Sequence, residues 1–229
     1  MVKIRAVLFD YGGTLDSDGG HWLDRFQALY RQAGLAIEGE KIKEAFYKAD
    51  GLLPTYPGIR ELSLQELIDL HVELQFQFFG VDDRKSKRSI AIHFASESAQ
   101  TLKRNVKILA RLKEKFKLGL ISNFYGNVEI ICREFDLAPL LDLILDSSVV
   151  GVSKPDPKIF KIALERLALP PEEAVYVGDS FERDMVAAKG VGLYTIWLTG
   201  PDERVCPDEK MVDRKIKTLL ELPRVLETL

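Results

Sequence analysis

Cysteine and histidine are scarce, with two of the first and three of the second in 229 residues. Cys132 and Cys206 lie far apart and match no metal-ligand spacing, so a secreted disulfide scaffold is excluded and two reduced thiols in a cytosolic protein are expected. An excess of one charge is also missing. Thirty-two Lys and Arg against 35 Asp and Glu give a net charge of −3, which offers no global electrostatic reason to bind nucleic acid or an anionic membrane. No apolar run approaches the roughly 18 residues of a membrane span. The opening MVKIRAVLFDYGG carries only a short strand-like stretch before an Asp, unlike a signal peptide. There is no internal repeat and no low-complexity tract. What remains is 46% hydrophobic and 29% charged, an ordinary composition for a chain of one or two domains with a sizeable core.

The two ends of the chain alternate strand and helix. Ile4 to Phe9 reads as a buried strand ending at the turn Asp10-Tyr11-Gly12-Gly13. Leu118 to Ile121, Leu143 to Leu145, Ala174 to Val177 and Leu193 to Leu198 read as further strands. A helix is expected from about Thr101 to Phe116, with Val106, Leu109, Leu112 and Phe116 on one stripe. Asp156-Pro157 opens another, with Asp as N-cap and Pro in the first turn. A third runs from Gly178-Asp179-Ser180 to Gly190, a candidate C-terminal cap. This alternation predicts an α/β fold, a Rossmann-like, doubly wound parallel sheet. Between Ser17 and Ser98 the pattern is helical only, at His21–Ala33, Glu40–Asp50, Leu64–Phe79 and after Arg84. The expected organisation is therefore a core of 1–16 and 99–229 with an inserted all-helical cap, 17–98. Asp16 to Gly20 and Glu97 to Thr101 are the expected linkers.

Ligands of an open parallel sheet bind at the carboxyl ends of its strands. Asp10 follows the first strand, Ser122-Asn123 the second, and Asp179 the one at 174–177. Lys154 precedes a helix N-terminus, where the dipole favours an anion, and Asp184 falls in the first turn after Ser180. Singly, these residues read as turn caps, N-caps, dipole partners or a solvated surface lysine. Jointly, they place a suitable polar group at every strand exit.

The sequence resembles the haloacid dehalogenase-like hydrolase superfamily. The residues that carry this are the strand into Asp10-Tyr11-Gly12-Gly13-Thr14-Leu15, then Ile121-Ser122-Asn123, Ser153-Lys154-Pro155-Asp156-Pro157 and Gly178-Asp179-Ser180-Phe181-Glu182-Arg183-Asp184. They occur in the family's order, and the helical insertion resembles its cap. The resemblance implies Mg²⁺ and an aspartyl enzyme intermediate, with a small phosphorylated molecule as substrate. It makes Asp10 the nucleophile and Lys154 and Ser122 its catalytic partners. Ser122, Asn123 and Lys154 would contact the substrate. The metal would be held by Asp10, the Gly12 carbonyl and Asp179, with Asp184 acting from the outer shell.

One position departs from the pattern. Phosphatases of the family carry a second Asp two residues after the nucleophile, to protonate the leaving group and later activate water. Here it is Gly12, and general acid–base catalysis is typically worth about 10²–10⁴-fold. His21, Asp16 and Asp18 are candidate replacements, although both Asp residues also suit a Gly-rich turn. The alternative readings are a weakly catalytic phosphate- and metal-binding regulatory module, a dehalogenase, and a phosphonate hydrolase using Lys41, Lys43 or Lys48 as Schiff base. The intact Asp179/Asp184 pair argues against metal-free dehalogenation. The basic run at 84–88 and the basic helix of 103–117 read as solvated faces. Phe76, Phe78 and Phe79 are expected in the cap's core, and the cap is expected to close about Gly19-Gly20.

Overall fold

A computed structural model describes residues 3–201 and 204–229; Met1 and Val2, the start of the expected core segment, lie outside them. Among the described residues the strands are β1 (Ala6–Phe9), β2 (Lys117–Ser122), β3 (Leu143–Asp146), β4 (Ala174–Gly178), β5 (Tyr194–Leu198) and β6 (Arg214–Ile216). They form one parallel sheet in the order β3-β2-β1-β4-β5-β6. Helices α1 (Trp22–Gln32), α2 (Gly39–Leu52), α3 (Leu64–Phe79) and α4 (Arg84–Lys113) follow β1. The later helices are α5 (Val128–Glu134), α6 (Ser147–Val150), α7 (Pro157–Leu167), α8 (Ala187–Val191) and α9 (Leu222–Leu226).

The strands are uninterrupted apolar runs because both faces of the sheet are covered. On one face Val7, Phe9, Leu120 and Val177 join a large core that continues into the helical insertion. On the other, Ala6, Leu8, Ile121 and Tyr176 pack under α7. The chain leaves the central β1 in both directions, to β2 and to β4, and this reversal opens a crevice beyond the strands' carboxyl ends. Phe9 pairs in register with Leu120 and with Val177, so Asp10 emerges between the ends of β2 and β4.

The helical insertion packs around aromatics. Phe26 stacks on Phe94 with centroids 4.4 Å apart, and His71 lies 5.1 Å from Phe46. Phe76 and Phe79 are buried as expected, but Phe78 is exposed. The largest difference from the sequence reading is α4, a single 30-residue helix. Glu97 to Thr101 form part of it rather than a linker, since no Gly or Pro interrupts residues 84–113. The expected boundary at 98/99 thus falls in mid-helix. Gly190 lies inside α8, and the left-handed cap is Gly192. The edge strand β6 has no apolar run to reveal it.

Two measurements check this organisation. Gln100 is exposed within α4, so Gln100→Pro removes no packing but breaks the ladder. Urea unfolding should show a loss of about 3 kcal/mol or more, whereas a true linker would tolerate the change. His71 is fully buried, and burial lowers its pKa from 6.5 to about 4. The unfolded chain then takes the proton first, so stability is complete above pH 6.5 and is lost as pH falls towards 4. The loss is on the order of 3 kcal/mol. His71→Phe should flatten that part of the pH–stability curve; parallel curves would remove His71 as the cause.

Candidate active site

The crevice beyond β1, β2 and β4 is a cavity of about 440 Å³, within the range of small-molecule sites. Asp10 is held at its base. Its Oδ1 accepts the Tyr11 N–H at 2.7 Å and meets Lys154 Nζ at 2.9 Å. Among the described residues Oδ2 takes no hydrogen bond, and Asp10 lines the cavity.

Lys154 spends all three of its N–H donors inside the protein, on Asp10 Oδ1 at 2.9 Å, Asp184 Oδ1 at 2.7 Å and the Tyr176 hydroxyl at 2.9 Å. Burial alone would lower its pKa, but the facing carboxylates of Asp10 and Asp184 outweigh that and raise it. Asn123 holds the lysine's main chain at both atoms. Its Nδ2 donates to the Lys154 carbonyl, and its Oδ1 accepts the Lys154 N–H, each at 2.8 Å. Asn123, expected as a substrate contact, lines the cavity and also positions Lys154. Ser122 is buried at the end of β2 and lines the cavity.

Asp10, Asp179 and Asp184 bring carboxylate oxygens within 4.8 Å of one another. Two glycines make this possible. A Cβ on Gly13, whose φ is +84°, would lie 2.4 Å from Asp179 Oδ2, and one on Gly178 would lie 2.4 Å from Asp184 Oδ2. Three carboxylates against one ammonium leave two negative charges uncompensated. Burial, then Asp184 and Asp10, push the Asp179 carboxyl well above its ordinary range. This donor set, all oxygen and short of two positive charges, fits a hard divalent cation. Asp184 already commits Oδ1 to Lys154 and Oδ2 to the Ser180 N–H at 2.9 Å.

The candidate acids separate. Asp16 is fully buried and accepts from Gly13 N at 2.8 Å, Trp22 Nε1 at 2.7 Å and Arg25 Nη1 at 3.1 Å, so it ties the turn to α1. Asp18 pairs with Arg104 at 2.7 Å and caps the turn at Leu219. Only His21 of the three lines the cavity, where it caps α1 through Nδ1. None of Lys41, Lys43 and Lys48 lines it, so the Schiff-base reading loses its lysine. The sequence reading missed Asp50, Tyr125 and Arg183, which also line the cavity. Tyr125 donates its hydroxyl to Asp50, a contact between the core and α2.

A doubly wound core with a helical insertion over an acidic crevice defines a cap-and-core α/β protein. The model of the haloacid dehalogenase-like hydrolases matches residues 4–192, and the chain belongs to that family of hydrolases. Haloacid dehalogenase-like hydrolase domain-containing protein 3 of Bos taurus is 32% identical over 183 residues, 75% of this chain and 72% of that protein. The glyceraldehyde 3-phosphate phosphatase of Pyrococcus furiosus is 37% identical over 129 residues, 54% of this chain and 52% of that one. The crystal structure of a 2-haloacid dehalogenase from Pseudomonas syringae superposes with a TM-score of 0.58 at 24% identity, covering 98% of this chain and 99% of that one. This last likeness is one of fold.

Asp16→Ala would strand the buried donors of Arg25 and Trp22. Removing one partner of a buried ion pair costs about 3–5 kcal/mol, and urea unfolding should show a loss of that size. A loss below about 1 kcal/mol, the scale of an exposed pair, would mean that Asp16 does not hold the two domains together.

Proposed function

We propose that this chain is a Mg²⁺-dependent phosphatase acting on a small phosphorylated molecule through an aspartyl phosphate on Asp10. The observation that carries this reading is the clamp on Asp10. Lys154 and the Tyr11 N–H hold Oδ1, which leaves Oδ2 without a hydrogen bond among the described residues on a side chain that lines the cavity. A phosphomonoester dianion repels a carboxylate, and attack becomes feasible only where positive charge is concentrated. Asp10, the Gly12 carbonyl and Asp179 would hold the cation, with Asp184 orienting Lys154 from the second layer. When bound, the cation supplies charge neutralisation for the nucleophile and the phosphoryl oxygens.

The chain's own residues do the rest. Asp10 Oδ2 attacks phosphorus in line with the leaving oxygen, and the Ser122 hydroxyl donates to a phosphoryl oxygen. Lys154 keeps the nucleophile oriented, and Asn123 keeps Lys154 in place. The helical cap covers the crevice and limits water. The phosphatase name of the Pyrococcus furiosus relative supports this reaction. The buried acidic cluster supports a metal-dependent phosphatase over a metal-free dehalogenase. Two free cysteines fit a cytosolic enzyme, and no helix of the described residues is long and apolar enough to cross a membrane.

The test is hydrolysis of p-nitrophenyl phosphate with Mg²⁺, wild type against Asp10→Asn. The variant should lose about 10³-fold or more in kcat, as expected for a lost nucleophile, and chelation of the metal should abolish wild-type turnover. Undiminished activity in Asp10→Asn would remove the nucleophile assignment. Metal binding without turnover of any phosphate would favour a binding module.

A further inference from the structure

Among the described residues that line the cavity, no carboxyl, imidazole or ammonium outside the acidic cluster has a proton free for a departing alcohol. All three Lys154 donors are committed to Asp10, Asp184 and Tyr176. Tyr125 gives its hydroxyl hydrogen to Asp50, which there acts as an acceptor. His21 faces donors at both ring nitrogens. Nδ1 accepts the Leu23 N–H at 3.2 Å, and Nε2 lies 3.2 Å from Arg183 Nη2. This arrangement opposes a second proton on the ring. The other charged groups near His21 are Asp24, Asp50 and Asp10; burial first, then Arg183, lowers its pKa in spite of them. A neutral imidazole is a poor general acid at pH 7, and an arginine does not deprotonate. Gly12 contributes no side chain, and the indole of Trp22 stands 3.6 Å from where its Cβ would be.

What the cavity has instead is an aromatic wall. Trp22, Phe46, Tyr47, Phe124 and Tyr125 all line it. Phe124 lies 4.8 Å from Tyr125 and 5.9 Å from Trp22, centroid to centroid. Such a wall stacks a flat ring.

We propose that the substrates of this site are phosphate esters of acidic aromatic alcohols, whose leaving oxygen departs without a proton while the ring lies against the aromatic wall. This rests on the phosphatase reading and narrows its substrate class. In the first step an Asp10 Oδ2–phosphorus bond forms and the phosphorus–aryl oxygen bond breaks. The bonding pair leaves on the oxygen as aryloxide, which takes a proton from solvent. Water then attacks the aspartyl phosphate, releasing inorganic phosphate and the Asp10 carboxylate, and its surplus proton goes to solvent. The balance is one ester and one water to one phenol and one phosphate.

The experiment is a leaving-group series read in kcat/KM, which reports the first irreversible step. It runs from nitrophenyl through phenyl to simple alkyl phosphates, with wild type, Gly12→Asp and Gly12→Ala. Acetyl phosphate, with an acidic but non-aromatic leaving group, is run alongside. Gly12 has φ −70° and ψ 124°, which any residue adopts, and a Cβ there makes only ordinary contacts. Wild type should fall about 10²–10⁴-fold from nitrophenyl to alkyl esters, the usual worth of a missing general acid. Gly12→Asp should recover most of that loss on alkyl esters, and Gly12→Ala none of it. KM for acetyl phosphate should exceed that for nitrophenyl phosphate by about tenfold. A flat wild-type profile would overturn the inference while leaving a phosphatase. Equal recovery in Gly12→Ala would overturn it too, as would an acetyl phosphate KM as low as the aryl one. No turnover of any ester would overturn the phosphatase reading and this inference with it. Should Gly12→Asp not fold, the wild-type series still decides.

Discussion

The buried ammonium of Lys154 is the constraint on which the rest of this site depends. An isolated charge of that kind is costly to desolvate, and it persists here because two carboxylates and a tyrosine hydroxyl take its three donors. Those partners come from three places: Asp10 from the end of β1, Asp184 from the turn after β4, and Tyr176 from within β4. The strand order brings them together, because β1 and β4 are neighbours at the point where the order of the parallel strands reverses. The carboxylates exceed what one ammonium can neutralise, so the fold stores a local excess of negative charge at the base of the crevice. An anionic substrate cannot enter there unaided. The same excess that makes the cluster poor as a stability device makes it a fitting seat for a cation.

The junction of cap and core depends on a second buried polar hub. Asp16 gathers Arg25 and Trp22 from α1 and Gly13 from the turn that carries the nucleophile. Ser98, at the middle of α4, hydrogen-bonds both Arg25 and Asp16. The cap is also tied to the core elsewhere, where the Leu64 N–H donates to Glu134 and Asn127 donates to the Leu62 carbonyl. A hinge at Gly19-Gly20 was the natural expectation. In the structure Gly19 is pressed against Gly200, with room for no Cβ, and Asp18 is bound to Arg104 and Thr218. With α4 continuous across the boundary, neither connection is a slack tether. Any opening of the cap must break identifiable hydrogen bonds or bend a helix.

How much of this was legible depends on whether a signal is local. Short apolar runs ending in Asp10, Ser122 and Asp179 identified their own strands and the edge of the crevice, since burial on both faces writes itself as unbroken hydrophobicity. Helix α3 was readable over Leu64–Phe79 from its apolar pattern, and the structure closes it with a capping box of Ser63 and Glu66 and with Gly80. Helix α4 was misread for the opposite reason. Its apolar stripe is interrupted by Glu97, Ser98, Gln100 and Thr101, and the polar stretch looked like a linker. Ser98 is polar because it faces the Asp16 hub, a fact of tertiary structure that periodicity does not carry. The hold of Asn123 on the Lys154 main chain was not legible, because position along a strand does not say which way an amide is committed. Asp50 and Arg183 sit among other charged residues of their helices. Only the fold shows that they, alone of those neighbours, reach the cavity.

Position 12 and Trp22 are best understood together. The indole packs on Phe94 with centroids 5.1 Å apart and donates its N–H to Asp16, so it is fixed by the same hub that joins the two domains. Its edge stands 3.6 Å from where a Cβ at position 12 would be, an ordinary contact. A carboxyl group at 12 would find that N–H already spent, and would gain no partner from the ring it touches. Glycine at this position therefore leaves the turn its shape and leaves the indole at the cavity wall. The site lacks a proton donor next to the nucleophile and has an apolar surface beside that position. A side chain at 12 would stand next to the nucleophile and in ordinary contact with the indole, so the chemistry the pocket can assist and the groups it can bind meet at one position.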